Sequence, residues 1–232
     1  MELKDNSQRA KWAIWSLNAF GAVLALFVLS GFLQHNLYER IYKLGGYSAE
    51  EVSSNGVRHM IVMLLYILTY VVATVFFIMW FRRAYFNLHL ISPSRMSYSE
   101  GWAAGAWFVP LLNIIRPYQI MKEIWYETFS HINDDDRKNK SVMISFWWIL
   151  FVIISIYSRL VARSDNDMQL AEFLSKQAYT NIAAILTFIP LFLIIKIIRE
   201  LSKAEETLRD QYHTLDITSH LVDDNSTKKA FD

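Results

Sequence analysis

The chain has 232 residues, 53% of them hydrophobic, with no cysteine and a net charge of +1. The charge balance points to no nucleic-acid partner, and the lack of cysteine excludes disulfides and thiolate metal sites. A soluble domain of this size interleaves apolar with polar positions, whereas here the apolar residues come in long blocks.

The first block, Trp12–Leu33, carries no charge. Lys4, Arg9 and Lys11 precede it, as in a signal peptide. The run is too long for a signal-peptide core, and no small-residue cleavage site follows before Gln34, so it reads as an uncleaved first span. An outer loop is expected over 34–57, with a short helix started by the capping box Ser48-x-x-Glu51. Met60–Phe81, Ser141–Ser158 and Tyr179–Ile195 are likewise free of charge. A helix needs about 20 such residues to cross roughly 30 Å of hydrocarbon. The first two blocks suffice and flanking helix extends the last two, giving spans near 12–33, 60–81, 141–159 and 179–198. The blocks do not alternate, which excludes strands.

One stretch fits neither span nor loop: "GWAAGAWFVPLLNIIRPYQIMKEIW", Gly101–Trp125. Pro110 and Pro117 each lack an N–H and clash with the preceding turn, so each is expected to end or kink a helix. After Pro117, Tyr118, Met121, Ile124, Trp125 and Phe129 form an apolar stripe, the pattern of a helix lying in the headgroup plane. The expectation is a broken re-entrant or interfacial element over 101–130 that leaves on the side it entered. Lysine and arginine accumulate on the cytoplasmic side of short loops. With this element not crossing and the N-terminus inside, only Arg40, Lys43, Arg58, Arg159, Arg163 and Lys176 of the 23 basic residues fall outside. All eight tryptophans then fall at or near the inner side, as an interfacial belt. The predicted fold class is all-α: a polytopic membrane helical bundle of four transmembrane helices with this Pro-broken element. A membrane domain over 1–200 precedes a cytoplasmic stalk and disordered tail over 201–232.

The same residues carry a family resemblance. "FRRAYFNL" (Phe81–Leu88), then Gly101-Trp102, then "WFVPLLNIIRPYQIMKEIW" (Trp107–Trp125) resemble the bacterial membrane-protein family catalogued as domain of unknown function 4328. The likeness is specific at Arg83, Ala84, Tyr85, Asn87, Trp102, Trp107, Phe108, Pro110, Asn113 and Pro117, and runs roughly from Trp12 to Arg199. It implies a shared architecture and no activity.

Several residues are candidates for a binding or structural role. Asn113, between the prolines, is placed to cap the restarted helix or to bind a ligand. Arg116, with Arg82, Arg83 and Lys122, forms a basic collar suited to lipid phosphates, or simply a topology signal that snorkels. The spans contain no Asp, Glu or His, which argues against ion-coupled transport. Their polar residues, among them Ser16, Asn18, Thr69, Thr74, Ser155, Asn181 and Thr187, are expected to bond between helices, and Gly21 with Ala25 to pack against a helix. Pro190 is expected to kink the last span. Asp134–Asp136 reads as a solvated turn. Leu201, Ala204, Leu208 and Leu215 mark a helical stalk able to pair with a second chain, and the tail from Asp223 reads as disordered. No catalytic, cofactor or metal site is predicted.

The functional reading is a non-enzymatic scaffold or binding protein of a bacterial inner membrane, both termini cytoplasmic. Its partners are membrane lipids, and a protein partner or second copy. One rival is a small transporter, which calls for a water-filled cavity reaching Asn113. The other is a lipid-modifying enzyme, for which Glu100, Glu123 and His131 are the acid/base candidates.

Overall fold

Long uncharged apolar runs satisfy their backbone bonds as helix, and they do so here, across Gly21, Gly31 and Pro190 alike. The structure, a computed structural model, describes residues 3–132, 134, 137–162 and 169–229, with backbone alone at 137–140 and 215–229. The helices are α1 (Ser7–Leu44), α2 (Ala49–Ile91), α3 (Trp102–Gly105), α4 (Leu112–His131), α5 (Arg137–Ala162) and α6 (Leu170–Lys229), with a 3₁₀ turn at Pro93–Arg95. Among the described residues there is no strand, and α1, α2, α5 and α6 are each long and apolar enough to cross a membrane.

The spanning helices run past their apolar blocks. The expected outer loop shrinks to Gly45–Ser48, because helix continues through Leu44 and resumes at Ala49. Gly45 ends α1 in the left-handed conformation (φ 70°) while its N–H still bonds the Ile41 carbonyl at 2.9 Å. At the other end α6 continues to Lys229, where polar composition had pointed to disorder. Pro190 lies inside α6 without ending it. Arg163, Asp135 and Asp136 lie outside the described residues.

Two compact units form. One comprises Ala13–Phe76 and Ser145–Ile195. Its core joins Phe20, Leu24, Phe27, Ala73, Ala184, Leu191 and Ile195. Much of its remaining apolar surface is exposed: α2's most apolar window is only 11% buried. Such a surface is stable in lipid rather than in water. Gly21 packs as expected, since a Cβ there would sit 3.1 Å from Leu191, whereas Ala25, the other member of the pair, is exposed. The hydroxyls of Ser16, Thr69, Thr74, Ser155 and Thr187, and the Asn18 amide, do not bond between helices. Each donates to a carbonyl three or four residues earlier in its own helix.

The tightest contact in this unit is one that spacing did not reveal. A Cβ on Gly31 would stand 2.0 Å from Asn181 Oδ1 and 2.9 Å from its Cγ. Asn181 is buried, and its Oδ1 also accepts from Gln177 at 3.4 Å. Gly31→Ala is therefore expected to cost about 1–3 kcal/mol, the range for overpacking a core. Thermal unfolding in detergent checks this, and Gly31→Ala combined with Asn181→Ala should recover most of the loss.

The other unit comprises Met1–Trp12, Phe77–Ile144 and Lys196–Asp232. The apolar stripe of α4 is Pro117, Ile120, Met121, Ile124, Trp125, Thr128 and Phe129, all buried in this unit. The apolar face that was expected to meet lipid is thus covered by protein. Leu201, Ala204 and Leu208 are buried here too, so this part of the stalk's stripe is covered by its own chain, while the Leu215 side chain lies outside the described residues. The tryptophan belt also needs revision. Trp80 and Trp125 are fully buried and Trp147 and Trp148 nearly so, whereas Trp12 and Trp15 are exposed. Volume in a core, rather than an interfacial N–H, accounts for the buried four.

Candidate functional site

The candidate element is built by a failed helix. From Gly101 the chain makes a single turn, α3, then a series of tighter bonds: Trp107 N–H to Ala104 O at 3.3 Å and Phe108 N–H to Gly105 O at 3.1 Å. Pro110 then breaks the ladder. Leu111 takes φ 67°, the one non-glycine residue with positive φ among those described. A side chain in this region costs on the order of 1–2 kcal/mol, and it persists only where surroundings impose it. Helix resumes at Leu112.

Asn113 does not cap that restart. The N-cap is Leu111, with no side-chain cap bond. Backbone satisfies the start instead, as Asn113 N–H reaches Val109 O at 3.0 Å and Ile114 N–H reaches Leu111 O at 3.3 Å. Pro117 neither ends nor delays α4, and lies inside it. Only Pro110 makes the break.

The break pushes out an apolar apex. Phe108 is 76% and Leu111 77% exposed, and Val109, Pro110, Ile114 and Ile115 are exposed beside them. Trp107 is anchored edge-on against Phe77 (5.5 Å) and Phe81 (6.0 Å). The Arg116 guanidinium carbon lies 3.9 Å from the centre of the Trp102 ring and 5.0 Å from that of Tyr98. Among the described residues it has no carboxylate within ion-pair distance. Its neighbours in the predicted collar differ. Arg82 pairs with Glu100 at 3.2 Å. Arg83 faces Phe86 at 5.7 Å, and Lys122 faces Tyr118 and Tyr126.

A hydrogen-bonded frame holds this element. The Tyr85 hydroxyl donates to Glu123 at 2.7 Å, and burial, reinforced by that carboxylate, holds the phenol in its neutral form well above the usual range. The His89 ring bridges the carbonyls of Tyr85 and Tyr98, each at 3.0 Å. Asn87 grips the N-terminal arm by both backbone groups of Lys4, accepting from its N–H at 3.2 Å and donating to its carbonyl at 2.8 Å.

Spacing alone missed a further cluster. Asn6 Nδ2 donates to both oxygens of Glu205 (3.2 and 3.1 Å) and to Trp80 O (3.3 Å). Asp5 pairs with Arg209 at 2.7 Å. A cavity of about 20 Å³ lies among these residues and Ser202, the volume of about one water molecule. Glu205 is half-buried, and desolvation pushes its pKa up to about 7. A signal was available: Glu205 lies four residues after Leu201 and three before Leu208, on the face that the stalk's apolar stripe buries.

The acid/base candidates Glu100, Glu123 and His131 are not brought together. They engage Arg82, Tyr85 and Ser92 respectively. The enclosed cavity is lined by Asn6 and Ser202, not by Asn113.

Fold and site define an all-helical membrane protein in which a proline-broken element is framed by helix ends. The chain belongs to the family described as domain of unknown function (DUF4328), whose pattern matches residues 45–203. The match starts at Gly45, so α1, which the resemblance read from Trp12 had included, lies outside it. No curated protein and no solved structure matches the chain.

Proposed function

We propose that the chain is a non-enzymatic scaffold of a bacterial inner membrane, whose N-terminal arm, 77–144 stretch and stalk form a binding platform at the cytoplasmic leaflet. The observation that carries this reading is the membership of one unit. The arm before the first span is tied to the middle stretch by Lys4–Asn87 and to the stalk by Asn6–Glu205, while Ser92–His131 closes the middle stretch on itself and Tyr126–Ser141 ties it to the start of α5. A middle stretch that crossed the bilayer would carry the start of α5 to the opposite face from the arm and the stalk. The grouping therefore supports an element that returns to its own side, and the bias of Lys and Arg supports that side being the cytoplasm.

The chain has no cysteine, so topology is open to a direct test. Single cysteines at Ser94, Asp135, Asn166 and Thr227 are challenged with an impermeant thiol reagent on intact cells. Only the Asn166 position is expected to react. Labelling at Ser94 or Asp135 would reject the platform's sidedness, and labelling at Thr227 would reject the position of the stalk.

A further inference from the structure

We propose that the Pro110 apex seats an anionic phospholipid, with Phe108 and Leu111 among its acyl chains and Arg116 on its phosphate. This rests on the reading that the 101–130 element stays on one face, and it names the partner of that element.

Four observations select this occupant. The apex is apolar and is not covered by its own chain, whereas the stripe of α4 that composition had assigned to the membrane is covered. The chain carries four membrane-length helices, so hydrocarbon is the apolar phase it meets. Cationic charge stands beside the apex: Arg82 and Arg95 pair with Glu100 and Glu127, while Arg116, like Arg83 and Lys122, has no carboxylate within ion-pair distance among the described residues. The Arg116 Cζ stands 3.9 Å from the Trp102 ring and 5.0 Å from the Tyr98 ring, and ring contacts of this kind take up none of the five guanidinium N–H donors, which stay available to the oxygens of a phosphate. Position agrees as well: Arg116 follows Leu111 by five positions, about 7.5 Å at helical rise, so the cation and the apolar tip are neighbours at the start of α4.

The test uses the full chain in two arms. In the first, a nitroxide on Phe108→Cys is placed in vesicles of phosphatidylcholine with or without phosphatidylglycerol. Collisions with dissolved oxygen are expected to exceed those with a water-soluble nickel chelate, with Ser94→Cys showing the reverse. In the second, phosphatidylglycerol added to detergent-purified protein is expected to raise its melting temperature more than phosphatidylcholine does. Arg116→Gln should weaken that binding about tenfold, and Arg116→Lys should restore part of it. Trp102→Leu should weaken it while leaving the charge in place.

A nickel-accessible label at 108 would overturn the inference, and it does so without needing any Arg116 variant to fold. Equal protection by the two lipids would overturn the phosphate assignment. Protection by inorganic phosphate alone would mean a soluble anion site and overturn the lipid one. Failure of the underlying reading looks different: it appears as thiol labelling at Ser94 in intact cells, whatever the depth of position 108.

Discussion

Glu205→Gln is expected to stabilise the protein above neutral pH and to flatten its stability across the window from about 4.5 to about 7. Burial is the main cause of the raised pKa, Asp5 adds to it, and the Asn6 amide and the nearby Trp80 indole partly oppose it. The folded chain therefore holds this proton more tightly than the unfolded chain does. Between the two pKa values the native state binds more protons, so stability falls as pH rises through the window and is flat above it. At about 1.4 kcal/mol per unit the full effect is on the order of 3 kcal/mol. Glutamine keeps an acceptor for Asn6 Nδ2 and brings a donor for Asn6 Oδ1, a buried oxygen without a partner. Thermal unfolding in detergent, followed by tryptophan fluorescence across this range, measures it. Parallel curves for wild type and variant would show that Glu205 is not the titrating group.

Trp80→Ala and Trp125→Ala are each expected to cost about 3–5 kcal/mol, the range for deleting a buried aromatic. Trp15→Ala is expected to cost less than about 1 kcal/mol in detergent. Trp80 and Trp125 have no solvent exposure, while Trp15 is 77% exposed. Trp125 packs on Phe129 at 4.6 Å, and Trp80 lies 5.8 Å from Phe77 while its carbonyl accepts from Asn6. A tryptophan belt would treat the three residues alike, because each would serve the interface. Chemical unfolding separates the alternatives, and equal losses at all three positions would return the belt reading.

The four membrane-length helices, the absence of strands among the described residues and the break at Pro110 were all legible without coordinates. Each follows from local chemistry. An uncharged apolar run must close its own backbone bonds in hydrocarbon, and a proline cannot supply an N–H to the ladder. The family was legible too, and its pattern matches residues 45–203. Arg116 and Phe108 both fall in the stretch singled out for its prolines, although spacing said nothing of the Trp102 ring beside the guanidinium.

What a stripe or a belt faces is not local. The apolar face of α4 has the same periodicity whether lipid or protein covers it, and only the packing of Ile120, Met121 and Ile124 within their unit decides that protein does. The same holds for Leu201, Ala204 and Leu208, which are equally suited to a second chain. Asn113 illustrates the converse: its composition favours a cap, yet the left-handed turn at Leu111 lets Val109 and Leu111 carbonyls take the bonds a cap would have made. The meeting of Asn6 with Glu205, 199 positions apart, has no counterpart in any local pattern. Chain-local rules determined which segments are helix and where helix stops. Tertiary contact decided which faces are dry, because burial depends on residues far away in sequence that compete to cover the same surface.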